Sequence, residues 1–133
     1  MVIENIKDIF RYSSESFPSD FIQLIDTFKK HHKFNQKAFD LIYDAYLFSK
    51  NAHKGQKRKS GKPYFTHCIA VATILADWGM DENIVISGLL HDTIEDTKIT
   101  KNDILNKYGK DILFLVESVT NLSGIKFNSR SHQ

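Results

Sequence analysis

The sequence predicts an all-α fold, and two observations carry that prediction. Apolar residues recur at three- and four-residue steps along most of the chain, the spacing that lines one face of a helix. Only two prolines and six glycines interrupt 133 residues, so long helices are permitted and a turn-rich β-sandwich is disfavoured. The length fits one domain. With 41% hydrophobic residues, ten Phe and five Tyr, a core forms without disulfides, and the lone Cys68 has no internal partner. Lys and Arg number 18 against 16 Asp and Glu, a net charge of +2. That balance excludes a disordered polyelectrolyte and gives no global case for nucleic acid binding. No apolar run approaches the ~20 residues of a membrane span or follows a basic start as in a secretory signal. A soluble, cytoplasmic protein with no membrane partner is expected.

The elements follow in order. Ile3, Ile6, Ile9 and Phe10 make a short amphipathic stretch that Ser13 to Pro18 breaks. Ser19 or Asp20 caps a helix with Phe21, Ile22, Ile25 and Phe28 on one face, closed by the cations Lys29, Lys30, His31 and His32. From Asn35, the positions Ala38, Leu41, Ile42, Ala45, Ser49 and Ala52 mark a helix of about five turns, ended by Gly55. His53 to Pro63 holds two glycines, a proline and five Lys or Arg, a basic loop. Ile69, Val71, Ala72, Leu75 and Ala76 restore the helical period until Trp78-Gly79. Asp81 caps the next run, Ile84 to Leu90, which is nearly all apolar. Ser87 and Gly88 within it let a neighbouring helix approach closely, so this helix is expected at the centre. It is read as continuing through His91 to Asp96. Thr100 and Asp103 form a capping box for a short helix stopped at Gly109. Ile112, Leu113, Leu115, Val116 and Val119 mark one more, and the tail from Ser123 to Gln133 has no periodicity.

Polar residues at the end of a buried apolar helix are costly unless paired or bound to a metal, which directs attention to His91-Asp92. On a continuous helix, His91 and Glu95 share a face, as do Asp92 and Asp96, so one turn presents an imidazole and three carboxylates to a single pocket. With a further imidazole from His67, such a set favours Mn²⁺, Fe²⁺ or Zn²⁺ over Ca²⁺. Each piece alone is weak, and their combination in this order carries the weight.

The segment from Ala45 to Leu122 resembles the hydrolase domain of the RelA/SpoT homologues, HD-superfamily enzymes of the stringent response that degrade guanosine tetra- and pentaphosphate. The resemblance rests on Ala52-His53-Lys54-Gly55-Gln56-Lys57-Arg58-Lys59-Ser60-Gly61-Lys62-Pro63-Tyr64, on His67 with Val71-Ala72, on Leu89-Leu90-His91-Asp92-Thr93-Ile94-Glu95-Asp96-Thr97, and on Val119-Thr120-Asn121-Leu122. It implies the N-terminal portion of an HD-type metal-dependent phosphohydrolase domain, a helical bundle, over residues 35–133; residues 1–34 are read as lead-in helices outside the resemblance. It implies that His67, His91 and Asp92 bind Mn²⁺, that Glu95 and Asp96 activate or position the attacking water, and that Arg58, Lys59 and Ser60 contact the nucleotide. The implied reaction is removal of the 3′-pyrophosphate from guanosine 3′,5′-bis(diphosphate).

The family's fourth metal ligand, an aspartate, lies downstream of the Val-Thr-Asn-Leu position, and the chain is read as ending before it, without the last helices. Asp111 and Glu117 are not assigned to that role. The faces Ile84 to Leu90 or Ile112 to Val119 are therefore expected to lack cover, with self-association or a complementing fragment as the consequence. Cys68, standing where the family usually has proline, is expected to be a buried thiol. An inactive, nucleotide-binding remnant of a split hydrolase is the alternative to an active enzyme. A phosphohydrolase for another nucleotide is a third reading, which the match at Arg58-Lys59-Ser60-Gly61 disfavours.

Overall fold

A computed structural model describes residues 17–131, with side chains through Asn121. The amphipathic stretch Ile3 to Phe10 lies outside the described residues. All regular elements among those described are helices: α1 Ser19–Lys29, α2 Gln36–Ala52, α3 Phe65–Asp77, α4 Glu82–Leu90, α5 Thr93–Asp96, α6 Lys101–Tyr108 and α7 Lys110–Ser131. None of them is long and apolar enough to cross a membrane.

Helix α4 is the centre, as its composition predicts. It packs against α2, α3 and α7 at once, and Val85, Ile86, Ser87, Gly88, Leu89 and Leu90 are all buried. Asp81 caps it by accepting from the Ile84 amide at 3.1 Å. Gly88 explains the close approach of α3. A Cβ at this position would meet Leu75 Cδ1 at 2.8 Å and the Ala72 Cα at 3.3 Å, so any side chain here requires Leu75 to move and the Ala72 backbone to give way.

Helix α1 packs on α3 and contributes Phe21, Leu24, Ile25 and Phe28 to the core. Its start corrects the expected cap. Neither Ser19 nor Asp20 caps it. Pro18 occupies that position with no side-chain bond, its ring already holding φ at −61°, and its carbonyl accepts from Ile22 at 3.0 Å. The Asp20 carboxylate accepts from the adjacent Phe21 amide at 2.8 Å and from the Tyr46 hydroxyl at 2.6 Å. Asn35 caps α2 through the Ala38 amide at 3.1 Å. Two details of α2 differ from expectation. Leu41 is 38% exposed, because Phe39, Ile42 and Tyr46, at steps of three and four, form the inward stripe. The helix also ends at Ala52, not Gly55, since the buried His53 turns its ring inward to bond Gln56 at 2.9 Å. Phe17, Phe21, Phe39, Tyr43, Tyr46 and Phe65 then pack edge-on or tilted in an aromatic cluster between α1, α2 and α3.

The expectation of uncovered apolar faces is overturned. Val85 to Leu90 are shielded by the surrounding helices, and Ile112 and Val116 of α7 are buried at 7% and 0% exposure. Only Phe114 of that run faces out, at 68%. The tail is also more regular than its lack of periodicity implied, because α7 runs to Ser131. A helix once nucleated extends without needing an apolar face, and no proline interrupts this one. The capping box between Thr100 and Asp103 is present with both reciprocal bonds, at 2.9 and 3.1 Å.

Candidate metal centre

The expected single helix through the His-Asp pair is broken. Helix α4 stops at Leu90, and His91 and Asp92 form a tight turn before α5. The break is local chemistry. His91 Nδ1 bonds the Gly88 carbonyl at 2.7 Å, and the Thr93 hydroxyl donates to the Leu90 carbonyl at 2.8 Å. Side chains thereby take acceptors that a continuing helix would give to its own amides. The turn aims both the imidazole and the carboxylate toward α3.

His67 stands in the first turn of α3, and the three groups converge. Asp92 Oδ2 lies 3.4 Å from His67 Nε2 and 3.0 Å from His91 Nε2, and one ligand atom from each residue falls within 4.8 Å of the others. His91 is fully buried, and its Nε2, although close to Asp92, makes no well-aligned hydrogen bond. A buried imidazole nitrogen left without an aligned partner, facing a second imidazole and a carboxylate, is what a divalent transition metal would satisfy. The residues therefore fit a divalent metal ion. His91 Nδ1 on the Gly88 carbonyl completes the usual arrangement, in which the other ring nitrogen fixes the tautomer and orientation.

The electrostatics follow from burial and pairing. Burial alone would discourage charge on His91, but the adjacent Asp92 carboxylate outweighs it and raises its pKa. Asp92 is lowered: burial opposes its charge, and His91, Tyr64 and His67 overcome that. His67 is lowered chiefly by burial, with Arg58 among the positive charges that reinforce the shift. The basic loop is thus near enough to act on the site. Cys68, fully buried beside it, has its thiol pushed up to about 12 by burial, the inert thiol expected.

The basic loop is a pinned hairpin. Tyr64 N–H donates to the Gln56 carbonyl at 2.9 Å, Arg58 N–H to Lys62 at 2.8 Å and Gly61 N–H to Arg58 at 2.8 Å. Gly61 takes φ +87°, the left-handed conformation that closes the turn carrying Lys59 and Ser60. Arg58, Lys59 and Ser60 are exposed, free to meet a solvent-borne anion. Of the two acids beyond the pair, Asp96 is linked to the site, since the Tyr64 hydroxyl lies 3.1 Å from its carboxylate. Glu95 is exposed and is not brought into the ligand group, so the single pocket of three carboxylates is not formed.

Residues 45–133 match the family model described as HD domain. The chain belongs to the HD-domain family. Within it, this domain is 41% identical over 108 residues to the bifunctional (p)ppGpp synthase/hydrolase SpoT of Escherichia coli K12, covering 81% of this chain and 15% of that protein. It is 39% identical over 114 residues to the guanosine-3′,5′-bis(diphosphate) 3′-pyrophosphohydrolase of Aquifex aeolicus, covering 86% of this chain and 15% of that protein. It is 49% identical over 86 residues to a GTP pyrophosphokinase of Streptomyces coelicolor, covering 65% of this chain and 10% of that protein. The chain thus spans 10 to 15% of the length of these curated relatives.

Three residues of this HD domain act at the site without having been singled out by sequence. Gln56 donates its amide to the Asp96 carbonyl, Tyr64 lies between Asp92 and Asp96, and Thr120 donates to the His91 carbonyl. Each sits inside a quoted motif. Thr120 carries a further signal, a hydroxyl on the apolar stripe of Val116 and Val119.

Proposed function

We propose that this HD domain is a metal-dependent pyrophosphohydrolase that removes the 3′-pyrophosphate of guanosine 3′,5′-bis(diphosphate). The observation that carries the reading is the convergence of His67, His91 and Asp92 at one point, with Arg58 of the basic loop close enough to lower His67. The names of the Escherichia coli and Aquifex aeolicus relatives support the choice of nucleotide. In this reading His67, His91 and Asp92 hold Mn²⁺, and residues 35–133 form the hydrolase domain with 1–34 as its lead-in. A bound divalent ion supplies a Lewis acid that neutralises phosphate charge and lowers the pKa of water. Arg58, Lys59 and Ser60 bind the nucleotide, where a guanidinium both pairs with phosphate and stacks on a purine. Asp96, held by Tyr64, accepts the proton of the attacking water, and the exposed Glu95 assists in positioning it. The domain acts in the cytoplasm, on a free nucleotide.

The test is pyrophosphate release from guanosine tetraphosphate by the purified chain with Mn²⁺, beside Asp92→Ala. Turnover that the variant lacks supports the proposal. Tight binding of the nucleotide and Mn²⁺ without turnover would instead favour the inactive, nucleotide-binding form that the sequence leaves as its alternative.

A further inference from the structure

The Tyr64 hydroxyl lies 3.0 Å from Asp92 Oδ2 and 3.1 Å from Asp96 Oδ2. A phenol carries one hydroxyl proton, so the two contacts are alternatives. The hydroxyl donates to one carboxylate or the other, and a change at either acid is felt at its neighbour. Two histidine rings hold the half-buried ring that aims this hydroxyl. It stacks on His53 at 5.1 Å and 26° and meets His67 edge-on at 5.8 Å and 68°. His53 is itself 2% exposed and held by Gln56 at 2.9 Å. Gln56 in turn donates to the Asp96 carbonyl. One rigid unit of His53, Gln56 and Tyr64 therefore joins the root of the basic loop to both acids.

We propose that Tyr64 is a positioning residue that couples Asp96 to Asp92 through a shared hydroxyl proton. When Asp92 Oδ2 is engaged as a ligand it is the weaker acceptor, and the hydroxyl donates to Asp96, fixing that carboxylate beside the site. When Asp96 is withdrawn, the proton falls to Asp92 alone and weakens it as a ligand. The inference rests on the reading of His67, His91 and Asp92 as a metal centre, but not on any turnover.

The test is Mn²⁺ binding by the full chain, followed by calorimetry, in a double-mutant cycle. Tyr64→Phe keeps the ring and its stacking while removing the hydroxyl that competes for Asp92, and Mn²⁺ is expected to bind at least as tightly as to the wild-type chain. Asp96→Glu keeps the charge but shifts the carboxylate off the hydroxyl. It is expected to weaken Mn²⁺ roughly threefold in the Tyr64 background and not at all in Tyr64→Phe. Mn²⁺ bound about tenfold more weakly in Tyr64→Phe, or an equal effect of Asp96→Glu in both backgrounds, overturns the coupling. Should circular dichroism show Tyr64→Phe unfolded, Asp96→Glu alone decides, and unchanged affinity overturns the proposal. A wild-type chain that binds no Mn²⁺ removes the metal centre and the coupling together, whereas Mn²⁺ binding lost in Asp92→Ala but additive in the cycle removes only the coupling.

Discussion

The Thr120 hydroxyl on α7 donates to the backbone carbonyl of His91, also lying 2.8 Å from the Val116 carbonyl of its own helix. His91 sits where α4 has stopped, so its carbonyl lacks a helical partner and must be satisfied from elsewhere. Helix α7 supplies that donor across the core and thereby fixes the turn that presents the His91 ring.

Thr120→Val preserves shape and removes this donor. It is expected to lower stability by about 1 kcal/mol, the usual worth of a hydrogen bond whose loss leaves a half-buried acceptor unpaired. Mn²⁺ affinity should fall with it. Thermal melts and Mn²⁺ titration of the variant check both, and unchanged values in each would mean that α7 does not brace the turn.

Gly88 sets the distance between the two helices that carry His67 and His91. Gly88→Val places methyl groups against Leu75 and the Ala72 backbone, the latter unable to rotate away. Overpacking of this kind costs about 2 to 3 kcal/mol. Denaturant unfolding should show that loss. Because α3 and α4 are pushed apart, Mn²⁺ binding should weaken even under conditions where the variant stays folded.

The pairing of His91 with Asp92 predicts two pH dependences. Mn²⁺ requires a neutral imidazole, and Asp92 raises the His91 pKa above its ordinary 6.5 against the opposing effect of burial. Affinity should therefore fall with acidity from a pH above 6.5, by about tenfold per unit where one proton is displaced per ion. In a chelator, the raised His91 contributes stability that is full below 6.5 and lost as pH rises through its folded value. The lowered Asp92 contributes stability that is full above 3.8 and lost as pH falls through its folded value. The pair therefore stabilises the metal-free chain most between these two ordinary values. His67, lowered by burial, opposes the His91 contribution below 6.5, so the comparison is made in the His67→Gln chain, where melting temperatures flat from pH 4 to 8 would contradict the pairing.

The all-α class and the central place of α4 were legible because local signals agreed with tertiary demand. Ser87 and Gly88 in an otherwise apolar run can only mean a close neighbour, and the Asp81 and Thr100 caps are set by residues adjacent in sequence. The clustering of His67, His91 and Asp92 was legible for a similar reason, since a His-Asp pair at the end of a buried helix needs compensation. What stayed hidden depends on long-range partners. Asp20 has a capping residue's chemistry, but Pro18 holds the cap position and the Asp20 carboxylate is shared by the Phe21 amide and the Tyr46 hydroxyl, 26 positions away. The helix break at His91 follows from side chains competing for the carbonyls of Gly88 and Leu90, and the periodicity of apolar residues is blind to that. Glu95 and Asp96 look equivalent in sequence, and only the position of Tyr64 separates them.

In the proposed function Arg58 is a substrate contact and not a metal ligand. Arg58→Ala is expected to weaken nucleotide affinity at least tenfold, the scale of a lost charge-assisted phosphate contact of about 1.5 to 3 kcal/mol. Mn²⁺ content should stay near the wild-type value, since the exposed side chain supplies no ligand atom. A parallel loss of metal would place Arg58 in the structure of the centre instead of at its mouth.

The central claim is that His67, His91 and Asp92 form one metal centre, and its most direct test is the Mn²⁺ stoichiometry of the folded chain against Asp92→Ala. The account predicts about one ion per wild-type chain and none in a variant that remains helical. Equal Mn²⁺ content in the two proteins would contradict it.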